Sequence, residues 1–365
     1  MADITPLTRA GLTLLDRYVG GYVLRGTGLA LFVLVALFVF ITFVDDLDTV
    51  GMGEYTIWHS VEYVMLIVPR LIFAAFPIAA LIGSLIGLGT LASNSELTVL
   101  RGAGISPLRV TLAVMKTGAV LMIAALTIGE WIAPEGERLA EERRSLAIDK
   151  RLSLKTGYGL WIRDGSSFVN VRQVLPGNRM QDIYIYDFDS AQQLRVATHA
   201  GGATYQNGKW LLENVKQSAL NAEGVAPRTF DRMVWNLAFA PELVDIVVVK
   251  PDRLSALGLY KYLKYLRANG LDTVYYEYAF WKKLVYPLAT GVMIFVAIPL
   301  VLGRLRVAGI GQRIVVGVLA GVGFHILQQV AGQAGVVYGI NPLLSAVAPT
   351  ALFLIIGGWM MWRLH

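Results

Sequence analysis

Long apolar runs separated by short polar segments make up most of this chain. A membrane-spanning helix needs about 20 mostly apolar residues, and the pattern predicts six such helices. Two of them lie in residues 314–362, which hold no Asp, Glu, Lys or Arg and are divided by the turn-forming stretch GVVYGINP. The other four predicted spans are 26–44, 71–95, 110–134 and 284–303.

The segment between the third and fourth spans, about 140 residues long, has a different pattern. Stretches such as GLWIRDGSSFVNV and DIYIYDFDS are rich in β-branched and aromatic residues, with Gly, Asn and Asp at the turns. Short strands at this spacing predict an all-β sandwich or jelly roll. APEGERLAEERRSLAIDKR before them predicts a helical extension of the third span, and SALGLYKYLKYLRANG after them predicts an amphipathic helix that ends at Gly270.

The predicted fold class is therefore an α-helical polytopic membrane protein, with six transmembrane helices and an inserted all-β jelly-roll-like domain. The predicted domains are an N-terminal membrane half (1–151), a β-jelly-roll domain (152–251) and a C-terminal membrane half (252–365). A short helix is predicted at 93–105, between the second and third spans. An open edge of the β domain offers a place where a strand of another protein can add.

The charge distribution predicts how the chain lies in the membrane. Overall, 55% of the residues are hydrophobic and 16% are charged, whereas soluble domains carry about 25% charged residues. Lys and Arg favour the cytoplasmic side; they occur in alternate loops, and the loops between hold the acidic DDLDTVGMGEY and the neutral GVVYGINP. We therefore expect cytoplasmic termini and a periplasmic β domain. The basic set is Arg9, Arg17, Arg25, Arg101, Arg109, Arg304, Arg306, Arg313 and Arg363.

Catalytic motifs are missing from the sequence. The chain has no Cys, which excludes disulfides and thiolate metal sites. GATYQNGKW is one residue too long for a phosphate loop and has Trp210 where a hydroxyl must hold Mg²⁺. The four His residues lack metal-site spacing, and neither G-x-S-x-G nor H-E-x-x-H occurs. We expect no catalytic residue, metal or cofactor on this chain.

Two basic residues near the predicted outer membrane surface are candidate binding groups. Arg70 either anchors the second span at the interface or binds an anionic group. Lys282 either anchors the fourth span or attracts phosphates at the outer leaflet. The residue patterns leave both alternatives open.

The stretch SNSELTVLRGAGISP, residues 93–107, predicts a short cytoplasmic helix between two spans. Asn94 or Ser95 can cap its start, and Glu96 in the first turn suits the helix dipole. Gly102 or Gly104 can end the helix before Pro107. Such a helix is either the coupling helix of an ATP-driven permease, which docks on a separate ATPase, or an ordinary interfacial helix. The spacing alone favours neither.

Five fragments taken together resemble a known family. LLDRYVGGYVL, FPIAALIGSLIGLGTLASNSELTVLRGAGIS, GEWIAPEGE, GLWIRDG and YGINPLL occur in the order found in the LptF/LptG permeases of lipopolysaccharide export, the LptG branch more than the LptF branch. The resemblance extends over nearly the whole chain. Each fragment alone is a weak signal, whereas the ordered set is specific.

The resemblance implies a role in an assembly. This chain would pair with an LptF-type permease, an LptB-type ATPase dimer and an LptC-type single-span protein. ATP and Mg²⁺ would bind the partner ATPase, not this chain. The assembly would take lipopolysaccharide from the outer leaflet of the Gram-negative inner membrane and pass it to an LptA-type periplasmic bridge of β-jelly-roll domains.

The resemblance also implies which residues contact the ATPase and the substrate. Glu96 matches the carboxylate of the coupling helix, with Leu97 and Leu100 expected to fill the ATPase groove. Arg70 and Arg144 match basic positions that would pair with lipid phosphates. FITFVDDLDTVG departs from the family because it lacks the substrate-binding lysines. The predicted coupling residues are Glu96, Leu97, Leu100, Arg101 and Gly104, and the predicted substrate residues are Arg70, Arg144, Asp45 and Lys282.

Two other functions compete with this one. A lipoprotein-releasing type of ABC permease usually has four spans, and the six predicted here disfavour it. A non-transport membrane scaffold that presents a periplasmic β domain predicts neither an ATPase partner nor a lipid cavity. The cytoplasmic arginines suit anionic lipid contact as well as transport, so charge alone does not exclude the scaffold.

Overall fold

The computed structural model describes residues 14–148, 160–175, 179–189, 191–206, 209–221, 224–235, 254–303 and 308–363. Within these ranges the chain divides into two compact units. The first comprises 64–137 and the described parts of 1–45 and 274–365, and the second comprises 46–63 and the described parts of 138–273. The predicted domain boundaries near 152 and 251 lie outside the described residues and stay a prediction, as do the placements of Arg9, Arg304 and Arg306.

Six helices in the described part of the chain are long and apolar enough to cross a membrane, as predicted. The third is the longest, because the predicted helical extension continues it without a break to Ile148. The spans are formed by α1 (Leu14–Asp46), α2 (Ile57–Ser93), α4 (Pro107–Thr127) with its extension α5 (Ala133–Ile148), α7 (Val274–Leu302), α8 (Ile310–Tyr338) and α9 (Pro342–Trp362). Two shorter helices are α3 (Glu96–Gly102) and α6 (Ala256–Ala268).

A π-helical turn at Ile128–Ile132 joins α4 to α5. Pro134 follows it, and proline both lacks an amide proton and crowds the carbonyl four residues earlier. A wider helical turn accommodates that crowding, which is why such turns occur inside long helices. Gly129 in this turn lies against the ring of Phe73, where an added Cβ would come within 2.4 Å of a ring carbon.

The apolar core of the first unit is built around α2 and α7. In each of these helices 72% of the residues in the most apolar stretch are buried, compared with 11% in α1. Phe76, Leu81 and Leu85 of α2 and Met293 and Ile294 of α7 belong to one buried cluster. The α1 helix therefore lies at the edge of this core and exposes most of its apolar surface.

Glycines bring the helix backbones close together. A Cβ on Gly83 would lie 2.2 Å from Cα of Thr27, and one on Gly26 would lie 2.3 Å from the carbonyl oxygen of Gly83. Close approach of this kind stabilises helix packing in membranes, where burial of apolar surface gives no drive for association. Added Cβ atoms would also meet neighbours at Gly87, Gly89, Gly317 and Gly321, whereas no described atom lies within 4 Å at Gly323.

The inserted all-β domain of the predicted fold is confirmed. Six antiparallel strands pair in sequence order, so each strand neighbours the next in the chain and β1 and β6 are the outer strands of the described sheet. The strands are β1 (Leu160–Asp164), β2 (Ser167–Leu175), β3 (Arg179–Phe188), β4 (Leu194–Gln206), β5 (Lys209–Asn221) and β6 (Gly224–Trp235). One face is apolar and fully buried at Val169, Ile183, Ala200, Leu212 and Val215.

The strand pairing skips one residue at the same level of five neighbouring strands, β2 to β6. In β3 and β5 the skipped residues are Asp182 and Asn214, which have positive φ angles of 55° and 53°, and both lie opposite Gly201 in the strand between them. Asp, Asn and Gly are the residues that tolerate this conformation best. Because the five strands share the irregularity, the strand register continues unchanged on either side of it.

The amphipathic helix α6 packs on the turn between β1 and β2. The Tyr265 hydroxyl donates to the Arg163 carbonyl at 2.8 Å, and the Gly165 amide donates to the Asn269 side-chain oxygen at 3.2 Å. The Ser255 hydroxyl caps the start of the helix by accepting from the Gly258 amide. The helix is followed by Gly270 with φ of 62°, which agrees with the predicted C-terminal stop.

The contact between Gly83 and α1 predicts the effect of one methyl group. Gly83→Ala places that methyl against the α1 backbone, which cannot move as a side chain can, so we expect a loss of about 1–3 kcal/mol of stability. Thermal denaturation of the purified protein in mild detergent measures it. Gly323→Ala is the matched control and should melt like the wild type; equal melting of both variants would contradict the close helix contact.

Candidate functional site

The short helix α3 begins within a tight reversal of the chain after α2. Ser93 closes the end of α2 by donating its hydroxyl to the Gly89 and Thr90 carbonyls, both at 3.0 Å. Ser95 then turns the chain with a φ of 60°, and its carbonyl accepts from the amides of Thr98 and Val99. Its side chain makes no capping hydrogen bond, so Ser95 occupies the predicted cap position through its backbone.

The end of α3 leads directly into the next span. The helix ends at Gly102, and Gly104 has a φ of 85°, which reverses the chain. Ser106 caps α4 by accepting from the Arg109 amide, with Pro107 at the first helical position. The segment 93–107 therefore forms the predicted helix between two spans.

One side of α3 is buried against the chain's own core. Leu97 is 7% exposed and belongs to the core cluster, and Leu100 packs against that cluster from its edge. A shallow depression lies between α3 and the end of α7, lined by Ala92, Leu97, Thr98, Arg101, Val301 and Leu302. Leu97 was expected to fill a groove of the ATPase, but here it holds α3 to the membrane domain.

The opposite side of α3 is exposed and presents an apolar group. Val99 is 69% exposed, and Leu108 in the first turn of α4 is 63% exposed. Arg101 and Gly104 are exposed as well. The apolar residue that α3 presents to solvent is thus Val99, which is not among the predicted coupling residues.

The Glu96 carboxylate is held at both oxygens. The Tyr18 hydroxyl donates to Oε2 at 2.7 Å, and the Asn94 side-chain amide donates to Oε1 at 3.3 Å. Tyr18 lies in the second turn of α1 and is 78 residues away in sequence. The predicted coupling carboxylate is therefore fixed in orientation by a residue of the first span.

A buried carboxylate joins the start of α1 to α4. The side chain of Asp16 is fully buried, with Arg109 at 2.8 Å from one oxygen and Lys116 at 2.7 Å from the other. An unpaired buried carboxylate is strongly unfavourable, so burial requires cations at this position. Arg109, expected among the cytoplasmic arginines, thus also has an internal partner.

Arg313 differs from the exposed basic residues with which it was grouped. It is fully buried at the start of α8, and its side chain lies against Gly89 of α2, where an added Cβ would come within 2.4 Å of Nη1. Gly89 lies one turn before the C-terminal end of α2, and a cation is favourable near that end of a helix.

Arg70, the first predicted substrate residue, is paired with a buried acid. Its Nε lies 3.1 Å from Oε2 of Glu137, whose side chain is 2% exposed, while the Arg70 side chain is 36% exposed. Arg70 therefore lies at a boundary between the interior and the surface. This pairing fits either alternative left open for Arg70, because about a third of its side chain stays exposed.

Arg144, the second predicted substrate residue, is the centre of a cluster in the second unit. Its Nη2 lies 3.0 Å from Oδ1 of Asp46 and donates to the Thr49 hydroxyl at 2.8 Å. Its guanidinium also lies 4.7 Å from the ring centre of Tyr63, a cation–π contact. The Tyr55 hydroxyl donates to the other oxygen of Asp46 at 2.6 Å.

Asp45 and Lys282 are the remaining predicted substrate residues. Asp45 is exposed at the end of α1, and its neighbour Asp46 is the acid that is buried with Arg144. Lys282 lies on α7, with its ammonium group 5.9 Å from the ring centre of Tyr278. Their roles stay predictions.

Sequence reasoning missed the partners that hold these side chains. Asp16, Asp46 and Glu137 are buried acids, and Tyr18 is a hydrogen-bond donor from a distant helix. The one available signal was the presence of acids next to long apolar runs, since such residues are costly near a membrane and need a partner.

Six spans, a short polar helix between the second and third, and an all-β insert between the third and fourth define a multi-pass membrane protein of the permease type. The family model described as lipopolysaccharide export system permease LptF/LptG matches residues 17–363. The chain belongs to the LptF/LptG family, which confirms the resemblance found in the sequence.

Two curated relatives cover nearly the same length as this chain. It is 37% identical over 351 residues to the lipopolysaccharide export system permease protein LptG of Haemophilus influenzae, covering 96% of this chain and 98% of that protein. It is 36% identical over 352 residues to the protein of the same name from Escherichia coli K12, with the same coverage.

The cluster around Asp46 predicts how Tyr55 responds to alkali. Burial, and after it the hydrogen bond to the Asp46 carboxylate, raises the pKa of the Tyr55 phenol above its ordinary value. Its contribution to stability is therefore complete below pH about 10, the ordinary tyrosine pKa, and is lost as the pH rises through the raised pKa.

Absorbance titration of phenolate in the wild type and in Tyr55→Phe isolates this group by difference. The difference in phenolate absorbance between the two proteins should appear above the pH range in which ordinary tyrosines ionise. Asp46→Asn removes the negative charge beside Tyr55 and should move the Tyr55 ionisation step to lower pH. A Tyr55 step within the ordinary range in the wild type would show that the cluster does not form.

Proposed function

We propose that this chain is one permease subunit of an ATP-driven transporter that takes lipopolysaccharide from the outer leaflet of the inner membrane and passes it to a periplasmic bridge of β-jelly-roll domains. The ATPase is a separate LptB-type dimer. An LptF-type permease completes the membrane pair, an LptC-type single-span protein joins it, and an LptA-type bridge receives the lipid. This chain binds no cofactor itself; ATP and Mg²⁺ belong to the partner.

The α3 helix is the observation that carries this proposal. Leu97 and Leu100 attach one side of the helix to the membrane core, while Val99 is exposed on the other side and Arg101 is exposed beside the depression that Leu97 lines. A helix that is attached on one side and exposed on the other can receive a push from a partner and pass it to the spans. Interfaces of this kind depend on a few apolar or Arg anchors, which Val99 and Arg101 supply.

The orientation follows from the positions of the charged loops. Arg17 and Arg25 near the start of α1, Arg101 on α3 and Arg363 after α9 all belong to one set of alternate segments. The positive-inside tendency favours the cytoplasm for that set. It supports cytoplasmic termini, a cytoplasmic α3 and a periplasmic β domain in the inner membrane.

Lipid phosphates are the groups that Arg70 and Arg144 would bind. A guanidinium suits phosphate because it presents several donors in a plane. Each arginine contacts a buried carboxylate, and 36% of the Arg70 side chain and 24% of the Arg144 side chain stay exposed. The buried acids orient these arginines, and Asp45 and Lys282 remain the other proposed contacts.

Purification of the tagged chain from its native membrane in mild detergent, followed by intact mass analysis, tests the assembly. A homologous permease, an ATPase in twofold amount over this chain and a bound lipid A species are expected. Glu96→Lys reverses the charge on α3 and should release the ATPase while the permease pair stays together. If the chain purifies alone, or with periplasmic proteins only, the export function is contradicted and the non-transport scaffold is the function supported.

The exposed Val99 predicts a separate change at the ATPase interface. Val99→Glu places a charge in the centre of the proposed contact, and we expect retention of the ATPase on the purified permease to fall at least about tenfold. Val225→Glu is the matched control, because Val225 is 63% exposed on β6. Equal retention by both variants, measured by quantitative gel analysis, would remove α3 from the interface.

A further inference from the structure

The first turns of α1 are attached to both elements that flank the reversal at residues 93–107. We propose that they transmit movement of the coupling helix α3 to the remainder of α1, with Tyr18 and Asp16 as positioning residues. This inference rests on the proposed function, because it takes α3 to be the surface that the ATPase moves.

The first attachment joins α1 to the start of α3. Tyr18 donates to Glu96, the first residue of that helix, at 2.7 Å. Asn94 holds the second carboxylate oxygen, so Glu96 cannot rotate away from Tyr18 without losing a hydrogen bond. A displacement of α3 therefore acts on α1 through the Tyr18 hydroxyl.

The second attachment joins α1 to α4 through Asp16. Arg109 lies in the first turn of α4, and Lys116 lies about two turns further along. Both contact the fully buried Asp16 carboxylate. Residues two apart on a helix point in different directions, so Asp16 and Tyr18 leave α1 on different sides and hold it between α4 and α3.

A contact point for α1 follows one to two turns after these attachments. Gly87 of α2 lies against the Tyr22 carbonyl, where an added Cβ would come within 2.5 Å, and Gly83 lies against Gly26 and Thr27. Beyond Gly26, Ala30 and Leu34 of α1 still pack with Ile82 of α2, while other large apolar side chains of α1 are exposed. Leu29 is 59% exposed, Phe32 73%, Leu37 51% and Phe40 64%.

These three features make α1 a lever. At a rise of about 1.5 Å per residue, the first turn lies about 14 Å from Gly26, and the far end at Asp46 lies about 30 Å beyond it. A movement of the first turn is therefore carried along α1 past its contacts with α2, provided that the helix stays straight. The short arm, from the first turn to Gly26, is attached to α3 and α4. The long arm, from Gly26 to Asp46, is the more exposed part of the helix.

Spin-label distances in the purified complex test this lever. The chain has no cysteine, so Phe40→Cys on α1 and Leu354→Cys on α9 place two labels without background. The distance between the two labels is measured by pulsed electron paramagnetic resonance in the nucleotide-free complex and after vanadate trapping with ATP. Each measurement is repeated in Tyr18→Phe, which removes one oxygen atom, and in Tyr338→Phe, where the exposed phenol is far from α3 in sequence.

The wild type and Tyr338→Phe should show a distance change on nucleotide trapping. In Tyr18→Phe the ATPase should stay bound while the distance change is largely lost, and the lipid-stimulated part of ATP hydrolysis should fall about fivefold, as for the loss of one hydrogen bond. Glu96→Gln combined with Tyr18→Phe should reduce the distance change and the lipid-stimulated hydrolysis no further than the more severe single variant does. A general loss of stability would instead reduce ATPase retention and basal hydrolysis as well.

Three outcomes separate the inference from the proposed function. If the wild type retains no ATPase, the proposed function fails. If it retains the ATPase and the labels move equally in Tyr18→Phe, the proposed function stands and the transmission through Tyr18 is overturned. If the wild type hydrolyses ATP with lipid but the labels do not move, α1 is not a lever.

Discussion

Buried carboxylates paired with cations from distant helices are the interaction on which the rest of this structure depends. Asp16, Asp46 and Glu137 are the carboxylates almost fully buried in the described ranges. Each lies within 3.1 Å of an Arg or Lys from another helix. Away from water such a charge is tolerated only with a partner, so each pair constrains which helices can be neighbours. In a membrane this constraint has particular force, because apolar packing alone distinguishes poorly between helix faces.

The same pairs connect the membrane helices to the candidate functional groups. Arg70 and Arg144 are oriented by Glu137 and Asp46, and Glu96 is oriented by Tyr18, two residues from Asp16. Arg70, Arg144 and Glu96 thus each have an intramolecular partner behind them. Precise positioning of a binding group usually needs such support. It explains how a chain with few charges can still hold those charges in defined places.

Periodicity and composition were sufficient for the six spans, the helical extension of the third span and the all-β insert, since these depend on local hydropathy and strand pattern. The stop at Gly270 and the helix between residues 93 and 107 follow from local capping and turn residues in the same way. The family was recognised from ordered fragments, and the family model confirms it over residues 17–363. The sequence did not show that five strands share an irregularity at the level of Asp182, Gly201 and Asn214, because only strand pairing aligns them.

The sequence by itself determined the class of this protein, its membrane spans and the candidate charged residues. The tertiary structure decided which partner each charge has: Asp46 and not Asp45 beside Arg144, and Val99 and not Leu97 on the exposed side of α3. The physical reason is sequence separation. Arg109 is 93 residues from Asp16 and Lys116 is 100, and no local pattern encodes contacts between residues that only helix packing brings together.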